Sequence, residues 1–315
     1  MLVINKQNTK FALLVTGKKF IGFLFFSLLI GYLSQFSLIH DNVLFSPSLL
    51  GVLGSGVGIF LGFRINSGYT RWWEARMIWG EMVNDSRSFG MSITALLTKG
   101  SFSTISQVEK QLQKKIIYRH IGFINAVRLH LRKNEEKEWL AELWERKVND
   151  TNLIADDERA DLQNKFNIPA QIIQNQSKEI SAFFDGDLEK EFRYLDLMNL
   201  LKNFYNIQGK AERIKNTVFP WGYAFYTHRL VWLMAFLVPF GFVDNLAYQS
   251  IILSAVISTT FVTIEQVGRN LDNPFDQSFN DTPMSALCRS IEIDLLEQLG
   301  EKRTDSLQEK DGVLN

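Results

Sequence analysis

Apolar and charged positions divide this chain into blocks before any motif is read. Phe20–Ile39, Asn42–Phe63 and Asn245–Ile264 contain no Asp, Glu, Lys or Arg, and Thr217–Val243 contains Arg229 alone. Runs of this kind match the roughly 20 apolar residues that a helix needs to cross a bilayer. Four membrane-spanning helices are therefore predicted. The first run follows Lys18 and Lys19, but it is longer than the apolar part of a signal peptide and no small-x-small cleavage site follows it. A retained first span is the expectation.

The remaining blocks read as helices too. In VEKQLQKKIIYRHIGFINAVRLHLRK apolar residues recur at three and four, the helical period. NEEKEWLAELWERKVND predicts a charged amphipathic helix with one packing face. ISAFFDGDLEKEFRYLDLMNLLKNFYNIQGKAERIKN predicts one helix or two, ending near Gly209. No alternation at strand period runs to a useful length. After the fourth span come a loop with Asn273-Pro274 and Thr282-Pro283, a helix, and a polar tail. The expected fold class is all-α. Its divisions are residues 1–63 with spans one and two, 64–216 as a cytoplasmic helical domain, 217–264 with spans three and four, and 265–315 as a cytoplasmic loop, helix and tail.

Flanking charge gives the orientation. The two short connections, His40-Asp41 and Asp244 to Gln249, lack Lys and Arg. The other side carries Lys6, Lys10, Lys18, Lys19, Arg64, Arg71, Arg76, Lys210, Arg213, Lys215 and Arg269. The positive-inside rule then predicts a multi-pass protein of the bacterial inner membrane with both termini in the cytoplasm. Sequons at Asn84, Asn149 and Asn280 fall on that side, where glycosylation is not expected.

Composition changes this picture little. The 315 residues carry 34 Lys+Arg against 34 Asp+Glu, a balance that argues against a nucleic-acid partner held by phosphate neutralisation. A hydrophobic content of 46% excludes disorder. The mean hydropathy of -0.04 resembles that of a soluble protein only because the charge is unevenly spread. A single cysteine, Cys288, excludes an internal disulfide and reads as packing.

Candidate chemistry is sparse. His40, His120, His130 and His228 have no metal-ligand spacing and read as surface or packing residues. Gly54-Ser55-Gly56-Val57-Gly58 imitates a phosphate loop, yet it sits inside an uncharged span with no preceding strand. No nucleophile elbow or Walker loop occurs. No catalytic residue, metal or cofactor is expected. Span two is more informative. Gly54, Gly58 and Gly62 repeat every four residues and would let a neighbouring helix approach. Ser55, Ile59 and Phe63 form a second stripe, about 100° round; from spacing alone it faces either lipid or a pore. Arg64, Tyr69, Arg71, Trp72 and Trp73 have the composition of an interfacial belt. Arg229 reads as a snorkelling residue or one member of an ion pair.

At RWWEARMIWGEMVNDSRSF, Arg71 to Phe89, the sequence resembles the bestrophin family in its bacterial branch. GIFLGFR, AERIKNTVFPWGYAFYTHRLVW and DNPFDQSFNDTPMSALCRSIEIDLL are similar to the family's second helix, its entry into the third span, and its tail. About residues 90 to 200 match in helicity only. The resemblance implies a homopentameric channel in the lipid bilayer with one axial, funnel-shaped pore. The neck then falls on Ile59 and Phe63 with Ser55 one turn before them, where relatives commonly carry a bulky apolar residue. A cytoplasmic aperture falls on Ile214. Asp272, Asp276 and Asp281 lack the unbroken acidic run by which eukaryotic relatives hold calcium. Small monovalent anions such as chloride are the favoured cargo, with a monovalent cation such as sodium as the alternative. Apolar rings carry no sign and do not decide between them. A non-conducting membrane scaffold or sensor is the reading from a different class. A secondary transporter is weaker, because inverted repeats and mid-membrane ionisable groups are not evident.

Overall fold

The computed structural model describes residues 6–35, 45–98, 105–132, 138–184, 191–217, 220–242, 248–276, 280–302 and 304–306. The expectations for His40 and for most of the two short connections lie outside the described residues. Among the described residues the chain is almost wholly helical: α1 Lys6–Leu33, α2 Pro47–Leu96, α3 Gln107–Leu131, α4 Glu138–Glu145, α5 Asp156–Leu162, α6 Ile168–Phe184, α7 Glu191–Asn216, α8 Trp221–Phe242, α9 Tyr248–Arg269 and α10 Met284–Leu299. A two-stranded antiparallel hairpin, β1 Lys147–Val148 and β2 Thr151–Asn152, interrupts them.

Four helices, α1, α2, α8 and α9, are long and apolar enough to cross a membrane. They pack around Phe23, Leu61, Val231, Ala235, Ala255 and Val262, with a second cluster at Leu50, Met234 and Val238. Polar side chains join them inside. Ser254 Oγ donates to Ser27 Oγ at 2.8 Å, and Ser258 Oγ donates to the Ala235 carbonyl at 2.7 Å. Such bonds hold helices together where apolar burial discriminates little between a neighbouring helix and a lipid tail. Where α2 crosses α9, Gly68 meets Gly268. A Cβ on Gly68 would stand 3.2 Å from the Gly268 carbonyl.

The second core lies around α3, which is buried on nearly every side from Ile116 to Leu129. Its start is set by a capping box, Ser106 with Glu109. A helix enclosed this way must satisfy the polar groups it carries. Arg119 Nε reaches Glu158 at 2.9 Å, and its Nη1 bonds Glu179. Arg128 Nη2 reaches Glu142 at 2.5 Å. Burial pushes the Glu179 carboxyl upward, but hydrogen bonds from Lys115 and Arg119 leave it below the usual range. α2, α6, α7 and α10 pack on α3 or on one another to complete this core.

The helix order departs from sequence expectation in four places. α2 is one unbroken helix of 50 residues, roughly 75 Å long at about 1.5 Å per residue, so no backbone break marks the division at 63/64. α7 runs through Gly209 to Asn216, because Leu197, Leu201, Phe204, Ile207, Ala211 and Ile214 bury one face and offset the weak helix preference of glycine. α4 ends at Glu145, and the chain turns back through Asn149 and Asp150 at φ 46° and 59°. Asn and Asp tolerate that left-handed backbone, which a tight hairpin requires. Finally, α10, expected in a segment of its own, contributes Cys288, Ile291, Leu295 and Leu296 to the same core as α3.

His120 sits at the centre of this core, fully buried among Phe89, Phe123 and Phe204, with Nε2 3.0 Å from Ser86 Oγ. Burial lowers its pKa from 6.5 to about 3. The unfolded chain therefore takes up a proton first. The stability this residue contributes is complete above about pH 6.5 and drains away as pH falls toward 3. At pH 5 the loss is about 2 kcal/mol. In chemical denaturation of the detergent-solubilised protein, His120→Leu is expected to remove that part of the difference between pH 7 and pH 5. An identical pH dependence in the two proteins would contradict it.

Candidate functional site

α2 has two faces with different fates. One packs against its own subunit through Leu50, Leu61, Arg64, Gly68, Ala75, Ile78, Trp79 and Met82. The other is open along the apolar half of the helix. In the apolar half Ile59 is 62% and Phe63 65% exposed, with Val52 also open. Ser55 shares this stripe, and its hydroxyl donates to the Gly51 carbonyl at 2.9 Å, so its own helix satisfies it. The three expected neck residues thus lie on one open line.

The glycine stripe meets its own subunit at one position. Only Gly54 meets a neighbour, with Met234 Cε 3.1 Å from where a Cβ would sit; Gly58 and Gly62 face nothing within 4 Å in the subunit. Close helix approaches occur instead at Gly68 with Gly268, at Gly241 against Leu50 and at Gly90 against Leu295. Ile214 is also misplaced as an aperture residue. It is 4% exposed and packed in the core of its own subunit, which leaves no side-chain surface for an opening. Its backbone carbonyl instead accepts a bond from Arg71, whose other nitrogen donates to the Thr217 carbonyl at 2.5 Å. A guanidinium on these terminal carbonyls caps α7.

The residues read as a belt divide as well. Tyr69 and Trp73 stack and are half-exposed. Trp72 Nε1 donates to the Asn280 carbonyl at 2.5 Å, tying down the loop before α10. Arg64 belongs to no belt at all. It is 2% exposed and donates to the Ala224 carbonyl at 3.0 Å, to Glu265 Oε1 at 3.5 Å and to Asp272 Oδ2 at 3.1 Å. Glu265, wholly buried, also holds His228 Nδ1 at 2.9 Å and faces Arg269 at 3.8 Å. α2, α8, α9 and the following loop are therefore clamped at one level by one cluster of charge. Burial pushes the Asp272 carboxyl upward, against the hydrogen bond and charge of Arg64. Asp276 pairs with Lys215 at 2.6 Å, and Asp281 is buried.

Sequence reading missed this cluster. A signal was present: Arg64 ends span two, Glu265 ends span four, and the two have opposite sign at the same depth. Arg229, by contrast, is exposed with its guanidinium 5.1 Å from the Phe225 ring centroid, as a snorkelling residue would be. The contact with Glu265 belongs to its neighbour His228. His130 Nε2 lies 3.5 Å from Glu212 Oε1 in the α3 core region.

The family described as Bacterial/Fungal Bestrophin protein matches this sequence over residues 14–297. The chain belongs to that family. It is 29% identical over 287 residues to a voltage-dependent anion channel-forming protein of Escherichia coli, covering 90% of this chain and 86% of the relative. A protein of the same description from Synechocystis is 29% identical over 243 residues, covering 76% of this chain and 73% of that one. The crystal structure of a bestrophin homologue from Klebsiella pneumoniae superposes with a TM-score of 0.78 at 24% identity, over 90% of this chain and 98% of that chain. That likeness fixes the fold, and the apolar helices with the family identify a membrane protein.

In this bestrophin the clamp has a direct consequence for stability. Removing one member of a buried charge group leaves the others unpaired, at about 3–5 kcal/mol. Arg64→Met is expected to lose stability of that order in detergent, whereas Arg269→Ala, at the exposed edge, loses under about 1 kcal/mol. Denaturation midpoints measure both. Equal effects from the two variants would show that the cluster does not hold the helices.

Proposed function

We propose that the protein is an anion channel of the bacterial inner membrane, formed by a ring of identical subunits, five by family resemblance, around one axial pore. Both termini lie in the cytoplasm in this reading, following the one-sided distribution of Lys and Arg. The observation that carries the proposal is the bare face of α2. Its reverse face is clamped and packed, so Ile59 and Phe63 stay open only because something outside the subunit meets them. One subunit has too few apolar helices to enclose a lumen by itself. Copies arranged about an axis would turn the stripe into stacked apolar collars about 6 Å apart. Ions passing such collars find no hydrogen-bonding partner, so wetting of the neck becomes the barrier. The relatives named as anion channel-forming support the sign of the cargo, which the collars do not set.

Phe63→Ala is expected to widen and wet the collar, raising single-channel conductance or open probability with assembly intact. Ile59→Ala acts in the same direction and less, since it removes less volume. Leu53→Ala, off the stripe, serves as the control. Recordings in planar bilayers under a chloride gradient decide the matter. If Phe63→Ala and Ile59→Ala both match the wild type, the stripe faces lipid and the pore assignment fails.

A further inference from the structure

The open line of α2 does not stop at the neck. Glu74 follows Phe63 by about three helical turns and Glu81 by about five, so both carboxylates stand within about 20° of Phe63 around the axis of one continuous helix. They are the first acidic side chains on that line past the apolar collars. Each is matched by a cation from α7. Arg213 Nη2 lies 2.5 Å from Glu74 Oε1, and Lys210 Nζ lies 2.9 Å from both oxygens of Glu81. All four side chains are open to solvent, between 41% and 64% exposed. Asp85, about 40° round from the line, lies within the field of Glu81 and Lys210.

Pairs so exposed contribute little to stability, so the fold alone gives them little to do. We infer that Glu74–Arg213 and Glu81–Lys210 hold the stretch below the neck close to neutral along the permeation line, so that the balance within each pair governs how strongly this channel selects by ion sign. Rings of one charge concentrate counter-ions in a confined lumen. Here each carboxylate ring is offset by an adjacent ring of cations, which leaves the stretch below the neck with a weak net sign. Uncovering either partner would give it a strong one. The inference rests on the pore reading above, since it requires the α2 line to face the lumen.

The test is the reversal potential of the reconstituted full-length protein under a sodium chloride gradient. Glu74→Gln with Glu81→Gln uncovers Arg213 and Lys210, and is expected to raise the anion-to-cation permeability ratio by roughly tenfold. Arg213→Gln with Lys210→Gln is expected to lower it by a similar factor. Exchanging the partners, Glu81→Lys with Lys210→Glu, should return it to the wild-type value and so distinguish charge from misfolding. Phe63→Ala is recorded in parallel. If Phe63→Ala changes conductance while both charge variants leave the reversal potential unmoved, the inference is overturned and the pore reading stands. If neither moves, or if the wild type carries no current, the pore reading falls and takes the inference with it.

Discussion

The structure depends on Arg64 being buried. A guanidinium at the end of an apolar stretch is stable there only with its charge answered, and Glu265, Asp272 and the Ala224 carbonyl answer it. Those partners come from α9, the loop after it, and α8. One side chain therefore fixes the rotation of α2 against the rest of the subunit. Gly68 and Gly268, just below it, let the two backbones approach closely enough for the bonds to form. The Trp72 and Arg71 contacts repeat the same kind of tie lower down, to the loop before α10 and to the end of α7.

With rotation fixed, the open face is no longer a matter of composition. An unbroken helix of 50 residues carries a given angular position from the apolar half into the helical unit around α3. The same line thus begins apolar at Val52, Ile59 and Phe63 and ends charged at Glu74 and Glu81. This is why a single element can serve as both the wetting barrier and the wall of the charged vestibule in the proposed channel. The core around α3 and α10 supports the lower half of that helix, through Trp79, Met82, Phe89 and Ile93.

Much of this was legible in the residues. Uncharged runs disclosed the four long apolar helices, and the three-four period disclosed α3. Ser55, Ile59 and Phe63, read as one stripe from their spacing, are all exposed on α2. What escaped was set by tertiary contact. Gly209 suggested a helix end, but the buried face of α7 overrode it. Ile214 suited an aperture in alignment, yet its side chain turns into its own core. Gly58 and Gly62 have the spacing of a packing motif, while within the subunit α2 and α9 approach at Gly68 and Gly268, which lie far apart in sequence and form no motif. Arg64 was read with the residues following it, although Glu265 and Asp272, some 200 positions away, decide its environment.

The central claim is that the bare line of α2 faces a shared aqueous lumen. Modification of an introduced thiol by a charged, membrane-impermeant reagent tests it most directly, because such reagents attack only thiolates in contact with water. The native thiol does not interfere: Cys288 is buried, and burial pushes its pKa up to about 11. Ile59→Cys is predicted to react in reconstituted protein and to lose current as it does, while Ile252→Cys, exposed on α9, stays unmodified in the lipid. An Ile59→Cys thiol as inert as that of Ile252→Cys, with current unchanged, would contradict the account.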